Sequence, residues 1–268
     1  MKGSESEGVT LSLHGKVALI TGSSRGIGAA TVRLFVQAGA KVVFNYRSAR
    51  KEAEALAESC GGPQRCVAVP CDLDSPAKGR ELVEHAVRTF GRLDCVVANH
   101  GIWPPNDAPI ETLSDQQWRR TMHVNLDSVF GLVQAAVAQI KKQPRPDRAA
   151  AGSIVLISST AGQRGEAMHA DYAASKGALI SFTKSLSSEL VRQGIQVNCV
   201  APGWVDTDMS AAALRDPERS KAVLAVIPAG RAATAEEIAG PVLFLCTPLA
   251  GFVSGEIFNV NGGAVLVG

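Results

Sequence analysis

No apolar stretch in this 268-residue sequence reaches the roughly 18 residues a bilayer-spanning helix needs, so no membrane span is expected. Charge of either sign is not in excess. Lysine and arginine total 27 against 25 acidic residues, a net charge of +2 without a long basic run, and nothing calls for a nucleic-acid partner. The six cysteines (Cys60, Cys66, Cys71, Cys95, Cys199 and Cys246) form no C-x-x-C pair and several sit in apolar runs. They read as buried free thiols of a cytoplasmic protein. The histidines (His14, His85, His100, His123 and His169) lack ligand spacing, so no metal is expected. Residues 1–12 are mostly polar and carry Glu5 and Glu7. They lack the basic start and apolar centre of a secretion signal and read as a loose tail. Internal repeats and linkers are missing too, which leaves residues 13–268 as a single domain.

What the sequence does have is 46% hydrophobic residues and 26 glycines, enough for a sizeable core and tight loops. Strands are expected at 16–20, 41–46, 65–70, 94–98, 153–158, 196–201 and 256–260. Between them lie helical patterns. The first has Ile27, Ala30, Leu34, Phe35 and Ala38 on one face. Ser75-Pro76 signals another start. Ser114-Asp-Gln-Gln117 resembles a capping box and opens a long helix to about Lys142. The Tyr172 helix runs to about Gly194, and Thr234-Ala-Glu-Glu237 caps a last one. Such alternation predicts an α/β fold: a doubly wound parallel sheet of about seven strands with helices on both faces. Residues 205–231 read as a substrate lid.

Thr21-Gly-Ser-Ser-Arg-Gly-Ile-Gly28 joins the first strand to the first helix. Gly22, Gly26 and Gly28 let the backbone turn and approach a pyrophosphate, with Ser24, Arg25 and Ile27 between them. The helix N-terminus offers free N–H groups there. Gly22-Ser-Ser-Arg-Gly26 also matches the G-x-S-x-G elbow of hydrolases, but that elbow needs a downstream His. It also needs an oxyanion loop before it, and only about twenty residues precede Ser24. The last histidine, His169, has about a hundred residues beyond it, so the hydrolase reading is set aside. Ser181-Phe-Thr-Lys184 matches S-x-x-K by chance, without its S-D-N or K-T-G partners.

Tyr172 and Lys176 lie four apart on one helix face. An ammonium about 4 Å from a phenol favours phenolate by roughly 4 kcal/mol at a dielectric of about 20, or on the order of 3 pKa units. Tyr172 is therefore expected to titrate well below its usual range. Ser159, thirteen residues before it, ends the apolar strand and can face the same small polar group. Beside a dinucleotide loop, that group is expected to be a carbonyl or alcohol next to a nicotinamide. At the end of strand two an acid would hold an NAD ribose, but here Tyr46-Arg47-Ser48 stands. Arg47 and Arg25 suit a 2′-phosphate, so NADP(H) is expected over NAD(H).

Jointly, Thr21-Gly-x3-Gly-Ile-Gly28, Asp72, Asn99-His-Gly101, Asn125, Ser159, Tyr172-x3-Lys176 and Pro202-Gly203 resemble the short-chain dehydrogenase/reductase family with its Rossmann-type fold. The resemblance covers residues 13–263. It implies that Tyr172 exchanges a proton with the substrate oxygen and that Ser159 binds the carbonyl. Lys176 would bind the nicotinamide ribose and lower the tyrosine pKa. Asn125 would hold a water linked to Lys176, or else bond buried backbone. Asp72, beside Leu73, would face the adenine or cap a turn; Asn99 and Gly101 would line the cofactor. Pro202, Gly203, Val205 and Thr207 would approach the nicotinamide. Trp103, Thr160, Arg164, His169 and Trp204 fall on substrate-side loops.

His100 stands where the family carries a small residue, and either alters cofactor fit or fills a gap. His169 stands where Gln is common, as a substrate contact or in a core or solvent-facing role. Across its length the chain most resembles 3-oxoacyl-carrier-protein reductases and related ketoreductases. A sugar or steroid dehydrogenase is the alternative, and a non-catalytic dinucleotide-binding regulator the alternative of another class. Lys141, Lys142, Arg145 and Arg148 form either a carrier-docking surface or a solvated loop. The resemblance also implies a homotetramer, with the apolar end Ala264–Gly268 buried against a neighbour.

Overall fold

The computed structural model describes residues 10–144 and 150–266. Strands and helices alternate along them: β1 (Val17–Ile20), α1 (Gly26–Gln37), β2 (Lys41–Tyr46), α2 (Arg50–Ser59), β3 (Cys66–Pro70), α3 (Pro76–Phe90), β4 (Cys95–Ala98), α4 (Asp115–Met122), α5 (Ser128–Ile140), β5 (Gly152–Ile157), α6 (Thr160–Arg164), α7 (Ala170–Leu190), β6 (Ile195–Pro202), α8 (Ala211–Arg215), α9 (Pro217–Ala225), α10 (Ala235–Leu245) and β7 (Ile257–Val260). All seven strands pair in parallel in the order β3-β2-β1-β4-β5-β6-β7. The direction of winding reverses between β1 and β4, and a crevice opens at such a point beyond the strands' C-terminal ends.

The strands are continuous apolar runs because helices cover both faces of the sheet. Side chains alternate between two cores. Ala18, Ile20, Val42 and Phe44 point toward Phe35 of α1 and Ile238 and Val242 of α10. Leu19, Val43 and Val96 point toward Leu82 of α3, Leu132 of α5 and Leu179 of α7. At the opposite end of the sheet, buried Asp94 accepts Val17 N–H at 3.0 Å and pairs with Arg92 at 2.7 Å and Lys16 at 3.6 Å.

Expected and observed strands agree to within a residue at each end, and β2 coincides. The helices depart more. The long helix from Ser114 is interrupted by a π-turn at His123–Asp127 that divides it into α4 and α5. Ser114 does cap it, accepting Gln117 N–H at 3.2 Å, whereas Ser75 precedes α3 without a side-chain cap bond. The Thr234–Glu237 capping box forms in full. Two short helices, α8 and α9, occupy the segment read as a lid, and neither buries a residue. Of the basic loop, Arg145 and Arg148 lie outside the described residues, as do residues 1–9 of the tail and residues 267–268.

Two glycines set the distance between α3 and α5. A Cβ on Gly79 would collide with the Ser128 carbonyl and sit 2.5 Å from Leu132 N. One on Gly131 would collide with the Pro76 carbonyl and sit 2.5 Å from Pro76 Cα. Backbone meets backbone at this crossing, so no side chain can move aside. Gly131→Ala is expected to lower the unfolding free energy by about 2–4 kcal/mol, because overpacking against rigid backbone forces the helices apart. Urea denaturation checks this; a loss below about 0.5 kcal/mol would show that the crossing can shift freely.

Candidate active site

Two asparagines, one near the end of β2 and one just past β4, lace together the loops that follow β1, β3 and β4. Asn99 Nδ2 donates to the Thr21 and Gly22 carbonyls at 2.9 and 3.1 Å. Asn45 Oδ1 accepts Gly22 N–H at 2.9 Å, while its Nδ2 donates to the Cys71 carbonyl at 2.8 Å. Sequence reasoning passed over Asn45. Its signal was an amide inside an otherwise apolar strand, where a buried polar group must find partners.

The glycine loop is tight throughout. Gly22 and Gly26 take φ of 65° and 56°, in the left-handed region that glycine tolerates. A Cβ on Gly28 would lie 2.6 Å from the Gly22 carbonyl. This cradle opens at the N-terminus of α1, whose N–H groups and dipole suit a pyrophosphate. Thr207 closes its far side, its Cγ2 lying 3.2 Å from where a Gly26 Cβ would stand. Half-buried Ser24 and Ile27 complete the turn. Arg25 is exposed and pairs with Asp208 at 3.2 Å. Arg47 and Ser48 are exposed past β2, whereas Tyr46 packs into the core. Asp72 lies 3.9 Å from Arg120, and the Leu73 side chain is buried in the second core, leaving only its backbone to face a ligand. Past β6, Gly203 lets the chain run beside Asn261: its Cβ would lie 3.0 Å from Asn261 Cα. Pro202 and Val205 beside it are buried.

Ser159 is the N-cap of α6, and its oxygen accepts Ala161 N–H at 3.1 Å. The same hydroxyl lies close enough to Tyr172 to pull its phenol's pKa down. Ser158 Oγ donates instead to the Lys176 carbonyl at 2.8 Å, pinning α7 to the end of β5. Lys176 is 4% exposed. Its Nζ donates to the Ile157 carbonyl at 2.8 Å and lies 5.8 Å from the centre of the Tyr172 ring. A Cβ on Gly101 would stand 3.3 Å from that Nζ.

Asn125 lies in the π-turn, a geometry common at functional positions. Its Oδ1 accepts Ile102 N–H at 2.8 Å, and its Nδ2 donates to the Ile102 carbonyl at 3.0 Å and to Ser175 Oγ at 3.1 Å. The side chain thus bonds the half-buried backbone of Ile102, as one of the two expected roles has it. Of the loop residues assigned to substrate, Trp103 packs on Tyr172 and His169; Thr160 is buried and Trp204 half-buried. Arg164 turns away to Glu166 at 2.8 Å.

A family profile described as "Enoyl-(Acyl carrier protein) reductase" matches residues 22–265. The "3-oxoacyl-[acyl-carrier-protein] reductase FabG" of Salmonella typhimurium is 38% identical over 258 residues, spanning 96% of this chain and all of that protein. A solved "Short-chain dehydrogenase/reductase SDR:Glucose/ribitol dehydrogenase" from Brucella melitensis superposes with a TM-score of 0.87 at 34% identity, covering 97% of this chain and all of that one. This chain belongs to the short-chain dehydrogenase/reductase family. Another family structure, a "blue fluorescent protein from metagenomic library in complex with NADPH", is 38% identical with a TM-score of 0.85, covering 95% of this chain and 99% of that one.

In this short-chain dehydrogenase/reductase, burial governs the site's charges. Desolvation pushes the Tyr172 phenol up to about 12, against a smaller downward pull from Ser159. The expectation of a lowered tyrosine is therefore corrected for the protein alone. Lys176 aims its ammonium at Ile157 rather than at the phenol oxygen, and it is itself lowered to about 8 by burial. The Coulomb estimate left out the water that both groups lose.

His100 is buried, and it bridges Thr21 Oγ1 at 2.7 Å and Ser128 Oγ at 2.7 Å. Both hydroxyls also have a backbone acceptor, Ser128 the Val124 carbonyl at 2.8 Å and Thr21 the Val97 carbonyl at 3.3 Å. The shorter bond favours Ser128 accepting from Nε2–H and Thr21 donating to Nδ1. Burial, then the charge of Lys176, lower the ring to about 3. The gap reading thus fits better than the cofactor one, but the gap is polar and the imidazole satisfies it.

The fall of Lys176 from 10.5 to about 8 corresponds to a folding cost of about 3 kcal/mol at neutral pH. Below pH 8 lysine is charged in both folded and unfolded states, and the cost is constant. Between about 8 and 10.5 only the unfolded state holds the proton, and the cost fades as pH rises. Lys176→Met is expected to stabilise the protein by about 1–3 kcal/mol at pH 7 while removing turnover. The advantage should shrink toward pH 10. Urea titrations at the two pH values check it; an equal advantage at both would break the link to protonation.

Proposed function

We propose that the enzyme reduces the carbonyl of 3-oxoacyl thioesters with NADPH. The observation that supports this reading is the grouping of Ser159, Tyr172 and Lys176 past the C-terminal end of β5, at the same edge of the sheet as the glycine loop after β1. The residues present fit a dinucleotide: close backbone approach at Gly22 and Gly28, and an open helix terminus between them. When bound there, the nicotinamide supplies the hydride. Lys176 and Asn99 would hold the ribose side, and Asp72 and Leu73 N–H the adenine side. Arg47 and Arg25 would receive the 2′-phosphate, Arg25 by giving up its exposed pair with Asp208.

The Ser159 hydroxyl polarises the substrate carbonyl. Tyr172, protonated at neutral pH, donates its hydrogen to that oxygen as negative charge develops there. The phenolate left behind is stabilised by the Lys176 ammonium, which is charged below about pH 8. A high resting phenol pKa suits a proton donor, and the cation is needed only when charge appears. Thioester substrates are favoured by the near full-length likeness to the Salmonella typhimurium enzyme. The sugar alternative is kept because the Brucella melitensis structure carries a glucose/ribitol dehydrogenase title. A cytoplasmic homotetramer belongs to the same reading. Exposed Phe130 on α5, and Leu249 and Phe252 before β7, are the surfaces it would cover.

Tyr172→Phe is expected to cut kcat by about 10²–10⁴ while NADPH binding, read by fluorescence titration, is retained. Intact turnover would refute the role, and a function indifferent to the change would favour the regulator. Reduction of acetoacetyl thioesters, set against diketones, sugars and steroids, tests the substrate class. Arg47→Asp is expected to lower kcat/KM for NADPH roughly ten- to a hundredfold, the loss of a charged hydrogen bond, and to spare NADH. A wild type that prefers NADH would overturn the cofactor choice. Lys176 loses its charge as pH rises, so reduction should be flat below about pH 8 and decline above it. A pH profile rising past 9 would contradict this.

A further inference from the structure

Among the described residues, Met168 is the one non-glycine position with a left-handed backbone, at φ 64°. That conformation costs on the order of 1–3 kcal/mol and persists only where its surroundings enforce it. Here the strained residue presents its carbonyl to two donors. Ala108 N–H reaches it at 2.9 Å and His169 Nδ1–H at 2.6 Å. Ala108 belongs to the loop after β4 that carries Trp103, so Met168 latches that loop to the start of α7. The other end of the loop is fixed as well, because Asn125 holds both backbone groups of Ile102. Pro104 and Pro105 stiffen the stretch between the two anchors.

Trp103 is therefore set in place before any substrate arrives. Its ring meets that of His169 at 3.9 Å and that of Tyr172 at 4.6 Å, edge-on in both cases. Tyr172 is only 8% exposed and His169 only 5%. A carbonyl approaching the phenol must place one of its substituents against this indole. A pocket wall anchored at both ends of its loop cannot retreat without breaking those bonds, and packed interiors respond in discrete steps rather than by yielding.

We propose that Trp103 is the specificity-determining wall of the substrate site, selecting carbonyls whose apolar substituent beside the indole is short and rejecting long acyl chains. This deepens the reading above and rests on it for the thioester. The test measures kcat/KM for two pairs of carbonyls, each with one short and one long member. One pair is acetoacetyl and 3-oxodecanoyl N-acetylcysteamine thioesters; the other is 2,3-butanedione and 2,3-decanedione.

Wild type is expected to favour the short member of each pair. Trp103→Ala is expected to raise the long-to-short ratio by about tenfold or more, the scale on which pocket volume discriminates methylenes. KM for NADPH should stay within about twofold, and melting curves report folding. Trp103→Phe, which keeps an aromatic ring, should fall between and remains informative should the alanine variant unfold. A ratio unchanged in both variants, or equal losses on long and short members, overturns the proposal. A shifted ratio with diketones and no turnover of either thioester overturns the thioester reading and leaves the wall standing. No turnover of any of the four overturns both.

Discussion

An ammonium kept almost dry beside a phenol is the constraint on which the site depends. Lys176 has one carbonyl, that of Ile157, in exchange for the water it gives up. Burial holds its neighbours in their neutral forms: the Tyr172 phenol and the Cys199 thiol are raised, and the His100 imidazole is lowered. A single unbalanced positive charge thus sits beside the phenol, where the proposed reaction would make an anion. Such an arrangement is unfavourable at rest and favourable at the transition state, the asymmetry that catalysis requires. The sheet supplies the rigidity: Ser158 fixes the helix carrying Lys176 to the end of β5, so the charge cannot swing out to solvent.

Much of the architecture was legible because its elements obey simple periods. β2 could be read to the residue, since an apolar run bounded by Gly39-Ala40 and Arg47-Ser48 has few other interpretations. The α8 and α9 helices left no such trace. Neither buries a side chain, so no apolar stripe marks them, and Pro217 and Asp216 are the only punctuation. The π-turn was equally silent, because one surplus residue in a helix alters no pattern of hydrophobicity. Helix α6 spans five residues, too few for any periodicity.

The candidate site divides along the same line. Tyr172 and Lys176 share a helix face by local geometry, and Ser159 follows from its place at a strand end; these rest on spacing. The His100 bridge joins residues 79 and 28 positions apart, which only the tertiary fold brings together. The commitment of Asn125 to Ile102 is of that kind too. The direction of the Tyr172 pKa was misjudged for a different reason. Charge attraction can be estimated from a separation, but desolvation depends on everything that surrounds the pair, and here it is the larger effect.

The π-turn at His123–Asp127 also constrains how this stretch of chain can change in length. A π-turn accommodates one residue more than the α-helix it interrupts, and each residue advances the helix by about 100°. Deleting one residue there would let α4 and α5 fuse into one regular helix with its backbone ladder intact. It would also swing Asn125 or Ser128 away from its partner by more than a quarter-turn. The surplus residue is therefore part of what aims Asn125 at Ile102 and Ser128 at His100, and a chain one residue shorter here could not meet both partners at once.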